Sequence, residues 1–72
     1  MIPYKFNIPT SAILSANTRR TVVTIPANAV VTIVDGDPEG DGLVKVRYRD
    51  EILSVFAVDL RKRSERLRGQ SA

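Results

Sequence analysis

Apolar and polar residues alternate with a period of two along most of this chain, the repeat of strands with one buried face. Tyr4, Phe6 and Ile8 alternate with Lys5 and Asn7 between Pro3 and Pro9, which predicts a first strand. Ser11 to Ser15 carries Ile13 and Leu14 among small residues and reads as a loose strand or a turn. Asn17-Thr18-Arg19-Arg20 reads as a polar connection. Thr21 to Ile25 is almost wholly β-branched, with Thr21, Val23 and Ile25 on one face. Pro26-Ala27-Asn28 interrupts it, because proline cannot donate to a ladder and presets a turn. Val30 to Val34 follows as a second β-branched run, with Val31 and Ile33 facing one way.

Leu43 to Arg49 has the clearest strand pattern. Val44, Val46 and Tyr48 share the face assigned to the core; Lys45, Arg47 and Arg49 share the face assigned to water. Asp50-Glu51 predicts a tight turn, and Ile52 to Phe56 the returning hairpin strand. Ala57 to Leu60 predicts one short 3₁₀ turn, and no ten-residue window before position 57 has the repeat of an amphipathic helix. The expected fold is all-β, a small five- to six-stranded barrel whose closure would hide its strand edges. Its predicted interior is Val23, Ile25, Val31, Ile33, Val44, Val46, Tyr48, Val55, Phe56 and Leu60. Residues 1–16 are expected to form an N-terminal strand or arm, 17–63 the barrel, and 64–72 a charged, flexible tail.

The segment VFAVDLRKR, Val55 to Arg63, resembles the end of an SH3-like barrel, where a strand with an apolar pair enters a 3₁₀ turn and leaves as a last short strand. The upstream order fits the same pattern: a turn-broken pair around IPANA, an acidic hairpin, then VKVRYRD and EILSVF. The combination of IPANAVVTIV, GLVKVRY and VFAVDLRKR is also similar to short uncharacterised bacterial proteins, a resemblance that implies no particular activity. Signalling SH3 domains bind proline-rich peptides through a tryptophan and clustered tyrosines. This chain has no Trp, and Tyr4 and Tyr48 fall on different strands, so that activity does not carry over. The type II dihydrofolate reductase subunit, another SH3-like chain, uses a Val-Gln-Ile-Tyr strand. The nearest stretch here, Ser54 to Ala57, lacks its glutamine and tyrosine.

Composition narrows the chemistry. With 72 residues and no cysteine, the domain has a small core and no disulfide to reinforce it, which makes self-association an expected remedy. The N-terminus has prolines and polar residues where a signal peptide needs an unbroken apolar run, and no stretch approaches a membrane span. A cytoplasmic location, with no membrane partner, is the expectation. Without His or Cys, nucleophilic triads and most acid–base schemes are excluded, and no transition-metal site is expected. Asp50 and Glu51 sit at a hairpin tip in water, and Asp59 has the position of a turn former. No enzyme activity, catalytic residue, cofactor or small-molecule substrate is expected.

The loop DGDPEGDG, Asp35 to Gly42, tests the metal reading further. Asp35, Asp37, Glu39 and Gly40 match positions 1, 3, 5 and 6 of an EF-hand loop, but position 12, which needs a bidentate Glu, is Val46. Its one proline and three glycines fit a hairpin connection instead. The loop holds four of the eight carboxylates, leaving eleven Lys and Arg against four carboxylates elsewhere, a body charge of +7. Lys45, Arg47 and Arg49 on one strand and Arg61, Lys62 and Arg63 near the C-terminus, with Arg66 and Arg68 beyond, are therefore candidate nucleic-acid contacts. The first expectation is nonetheless a non-catalytic module for protein interaction or self-assembly. It rests on Val22, Val30, Val34, Leu43 and Ile52, apolar residues opposite the faces assigned to the core. The YKFNI segment is expected either to cover them or to pair with a neighbour's edge strand.

Overall fold

The computed structural model describes residues 2–16 and 18–67. They form seven strands and one helix: β1 (Pro3–Phe6), β2 (Thr10–Ala16), β3 (Arg19–Ile25), β4 (Val30–Asp35), β5 (Leu43–Tyr48), β6 (Glu51–Phe56), α1 (Ala57–Arg63) and β7 (Ser64–Arg66). The strands make one antiparallel sheet in the order β3-β2-β6-β5-β4-β1-β7. The fold is all-β, but the expected closed or nearly closed barrel of five to six strands is corrected to an open sheet of seven. Seven strands pair, and β3 and β7 remain as edges among the described residues.

The sheet curls around a single core. Ile25 at the end of edge strand β3 belongs to the same buried cluster as Tyr4 and Phe6 on β1, five places away across the sheet. Ala12, Val31, Val44, Val46, Leu53 and Val55 line the same concave face, and α1 adds Ala57 and Leu60. Alternation places these side chains: Val44 and Val46 pair with Val55 and Leu53, while Lys45 and Arg47 pair with Ser54 and Ile52 on the opposite, outer face. Val31, Val44, Val46, Val55 and Leu60 are buried as expected, and Val23, Ile33 and Tyr48 pack against the core from its margin.

Phe56 corrects the predicted core. It lies one residue beyond Val55, pairs with Leu43 on the outer face, and is 50% exposed. The chain turns into α1 directly after it, so Ala57 and Leu60 fill the place assigned to it. That helix also corrects the expected 3₁₀ turn. It runs two turns because Leu60 anchors it to the core while Asp59 in its first turn faces Arg63 in its last, Arg63 Nε lying 3.4 Å from Asp59 Oδ1. The Ser64 hydroxyl donates to the Leu60 carbonyl where the helix ends.

Of the two expectations for the N-terminal segment, the structure has the strand and not the arm. β1 lies between β4 and β7, with Tyr4 opposite both Val31 and Arg66. Pro3 is tolerated as the first residue of that strand, and its carbonyl accepts from the Leu67 amide at 2.9 Å. Residues 64–66, read as the start of a tail, form β7; positions 68–72, including Arg68, lie outside the described residues, as does Asn17. Ser11–Ser15 takes the strand alternative, and the expected connection at Arg19-Arg20 is instead the start of the next strand, the two making one long hairpin. It pairs without a break from Thr10↔Ile25 to Ala16↔Arg19.

Two turns fix the remaining geometry. Asn28 adopts φ +73°, a left-handed conformation that asparagine tolerates well. Its amide donates to the Phe6 carbonyl at 2.7 Å, tying the β3–β4 turn to β1. The β5–β6 turn sits one residue earlier than expected: Tyr48 pairs with Glu51, so Arg49 and Asp50 are its two central residues. Arg49 takes φ +58° there, the positive first-residue φ of turns that match strand twist.

Candidate interaction surface

The outer face of the sheet carries the residues that the core does not use. Ile13 on β2 stands between Val22 on β3 and Ser54 on β6, and Ser54 is opposite Lys45 on β5. A neighbouring row sets Ser15 opposite Arg20, and another sets Leu43 opposite Phe56. Ile13, Ser15, Arg20, Leu43, Lys45 and Ser54 together line an open cleft of about 260 Å³. Its floor is apolar, and a guanidinium, an ammonium and two hydroxyls complete its lining. Val22, Leu43, Ile52 and Phe56 are all exposed on this face, Val22 to 72%. β1 does not cover them, because it is an interior strand of the sheet.

The six cations singled out by sequence do not form one patch. Lys45 and Arg47 stand on the outer face of β5. Arg49 leaves that row for the turn, where its guanidinium carbon lies 5.3 Å from the centroid of the Tyr48 ring. Arg61, Lys62 and Arg63 occupy the last turn of α1. Arg61 is engaged: one guanidinium nitrogen donates to the Pro38 carbonyl at 2.8 Å and to the Gly40 carbonyl at 2.7 Å. Arg63 faces Asp59, the ion pair found among the described residues. The structure brings Lys45 together with a different cation, Arg20, which sequence reasoning placed in a connection. Only recognition that β3 begins at Arg19 would have put Arg20 on the sheet.

Arg61 acts on the acidic loop. Asp35 Oδ1 accepts from the Gly36 amide at 3.0 Å, Asp37 Oδ1 from the Glu39 amide at 2.9 Å, and the Gly40 amide donates to the Asp37 carbonyl at 3.0 Å. These are local turn contacts, in which the carboxylates satisfy backbone donors. Val46, at the position where an EF-hand needs its closing carboxylate, is fully buried. Among the described residues no group of three acidic side chains converges as a metal site would require. No described helix is long and apolar enough to cross a membrane. Comparisons with protein-family models, with curated proteins and with solved structures gave no match.

Proposed function

We propose that this chain is a non-catalytic module that associates with other protein chains, its own copies included, through the outer face of an SH3-like sheet. The element order supports the SH3-like reading: a long hairpin, three meandering strands, a short helix and a last strand laid beside the first. The observation that carries the functional reading is the apolar population of a face that the fold leaves bare. Val22 stays 72% exposed in the single chain and Leu43, Ile52 and Phe56 38–50%, and burying the apolar surface left to each is worth about 1 kcal/mol or more. Sedimentation velocity over a range of concentrations tests it. A mass that grows with concentration, and that falls in Leu43→Lys with an unchanged circular dichroism spectrum, is the expected result. A strictly monomeric wild type is the contrary one.

A second reading has one observation in its favour. Arg20, Lys45 and Arg47 stand on the same face of the sheet as the half-exposed ring of Phe56, none paired with a carboxylate among the described residues. Cations near a stacking aromatic suit single-stranded nucleic acid. Retention of a mixed oligonucleotide that weakens steeply with salt, and that is lost in a Lys45→Glu and Arg47→Glu double variant, would favour it. The engaged Arg61 and Arg63 are expected to contribute little.

A further inference from the structure

We infer that the contact between copies is made by β3, which pairs with β3 of a second chain in an antiparallel register centred on Val22. This inference rests on the association reading above and names the surface that performs it. β3 is bound on one side only, so about half of its backbone N–H and C=O groups point away from β2. Protein sheets commonly blunt such an edge with a proline, a bulge or a charge along it. Here Thr21 to Ile25 has no charge and no proline, and its pairing with β2 runs without a register shift. Of its seven residues only the first two, Arg19 and Arg20, are charged, and the described part of this chain offers nothing to lie against it.

Charge and register select the occupant. Centring the two-fold axis on Val22 sets Val22 against the partner's Val22, Thr21 against the partner's Val23, Arg20 against the partner's Thr24 and Arg19 against the partner's Ile25. Pro26, which has no N–H to give, then falls just outside the paired segment on both chains. No cation faces another, and the two Arg19-Arg20 ends lie at opposite ends of the ladder. A parallel arrangement would stack those arginines on each other. On the outer face the same register joins Ile13 and Val22 to their counterparts, making one apolar strip across the axis. It thereby covers the most exposed of the large apolar residues.

Sedimentation of the full chain, with three variants and two single-cysteine chains, tests this. Val22→Lys sets like charges directly opposite one another at the axis, and Thr24→Lys opposes the partner's Arg20. Both residues are exposed on an edge strand, so either variant is expected to keep the wild-type circular dichroism. Each is expected to weaken self-association by about tenfold or more. Because the chain has no native cysteine, Val22→Cys reports the register under oxidation. Residues directly opposite have Cβ atoms about 4.5–5.5 Å apart, near enough to bridge after a small adjustment. Val22→Cys is therefore expected to cross-link well ahead of Thr24→Cys. Equal cross-linking by the two, or unchanged association in both lysine variants, overturns β3 pairing. If Leu43→Lys alone then abolishes association, the outer-face reading survives without it. A wild-type chain that remains monomeric at about 1 mM overturns both.

Discussion

Substituting Gly36 by alanine is expected to be among the most damaging single-methyl changes available in this fold. Gly36 follows the register shift between Ile33 and Asp35, where β4 leaves its pairing with β5. Its φ is +102°, a region that residues with a Cβ rarely enter. A Cβ there would meet the Val44 Cα at 3.0 Å and the Leu43 carbonyl oxygen at 3.1 Å. Both are backbone atoms of β5, and Val44 is a fully buried core residue, so neither side can yield freely. Backbone strain of about 1–3 kcal/mol and a crowding cost of about 1 kcal/mol or more give a combined loss of about 2–4 kcal/mol. A domain of this size rarely holds more than about 3–5 kcal/mol of stability. At about 4–8 °C per kcal/mol, the midpoint of thermal unfolding should fall by roughly 10 °C or more. Urea unfolding followed by far-ultraviolet circular dichroism measures the loss directly. Gly42→Ala is the control, because its added methyl meets no atom within 4 Å. If Gly36→Ala and Gly42→Ala unfold within about 0.5 kcal/mol of each other, the strain argument is wrong.

Two further changes probe other parts of the structure. Phe6→Ala removes a fully buried ring from a strand paired on both sides. A cost of about 3–5 kcal/mol should leave little cooperative unfolding at 25 °C, whereas a near-wild-type transition would mean that the N-terminal segment is dispensable. Arg61→Ala removes the one nitrogen that donates to both the Pro38 and Gly40 carbonyls, so stability should fall by about 1 kcal/mol. Amide exchange should accelerate within residues 36–42, and unchanged exchange there would show that the loop holds its own shape. Arg61→Lys should recover only part of the loss, because an ammonium on a flexible stem lacks the planar geometry of the guanidinium.

The sequence made the central hairpin legible because Val44, Val46 and Tyr48 alternate strictly with Lys45 and Arg47, and one face of β5 is wet. The same rule identified Val22, Val30, Val34, Leu43 and Ile52 as outward-facing, and all five are exposed. Alternation failed where a strand has small or polar residues on both faces. β2, with Thr10, Ser11, Ala12 and Ser15, shows its pattern only through its partner: Ala12 is buried opposite Val23, and its sequence gives no sign of that. Phe56 misled in the opposite way, since a large aromatic ring promises burial and its place after Val55 denies it. Strand count was harder still. Pairing of β7 with β1 joins residues some sixty positions apart, and three polar residues, Ser64, Glu65 and Arg66, carry no local sign of it. The cleft was missed for the same reason, because Arg20 and Lys45 approach only when β2 joins β6 through Ile13 and Leu14.

The position of β1 between β4 and β7 sets an order of events during synthesis. Its first partner, β4, follows within a few dozen residues, but its second is made only some sixty residues after it. Until Ser64–Arg66 is made, β1 has an unpaired side beside Phe6, and this long-range pairing places the domain among slowly maturing topologies. Synthesis of Ser64–Arg66, more than formation of any hairpin, is then the step that commits the sheet to its native strand order.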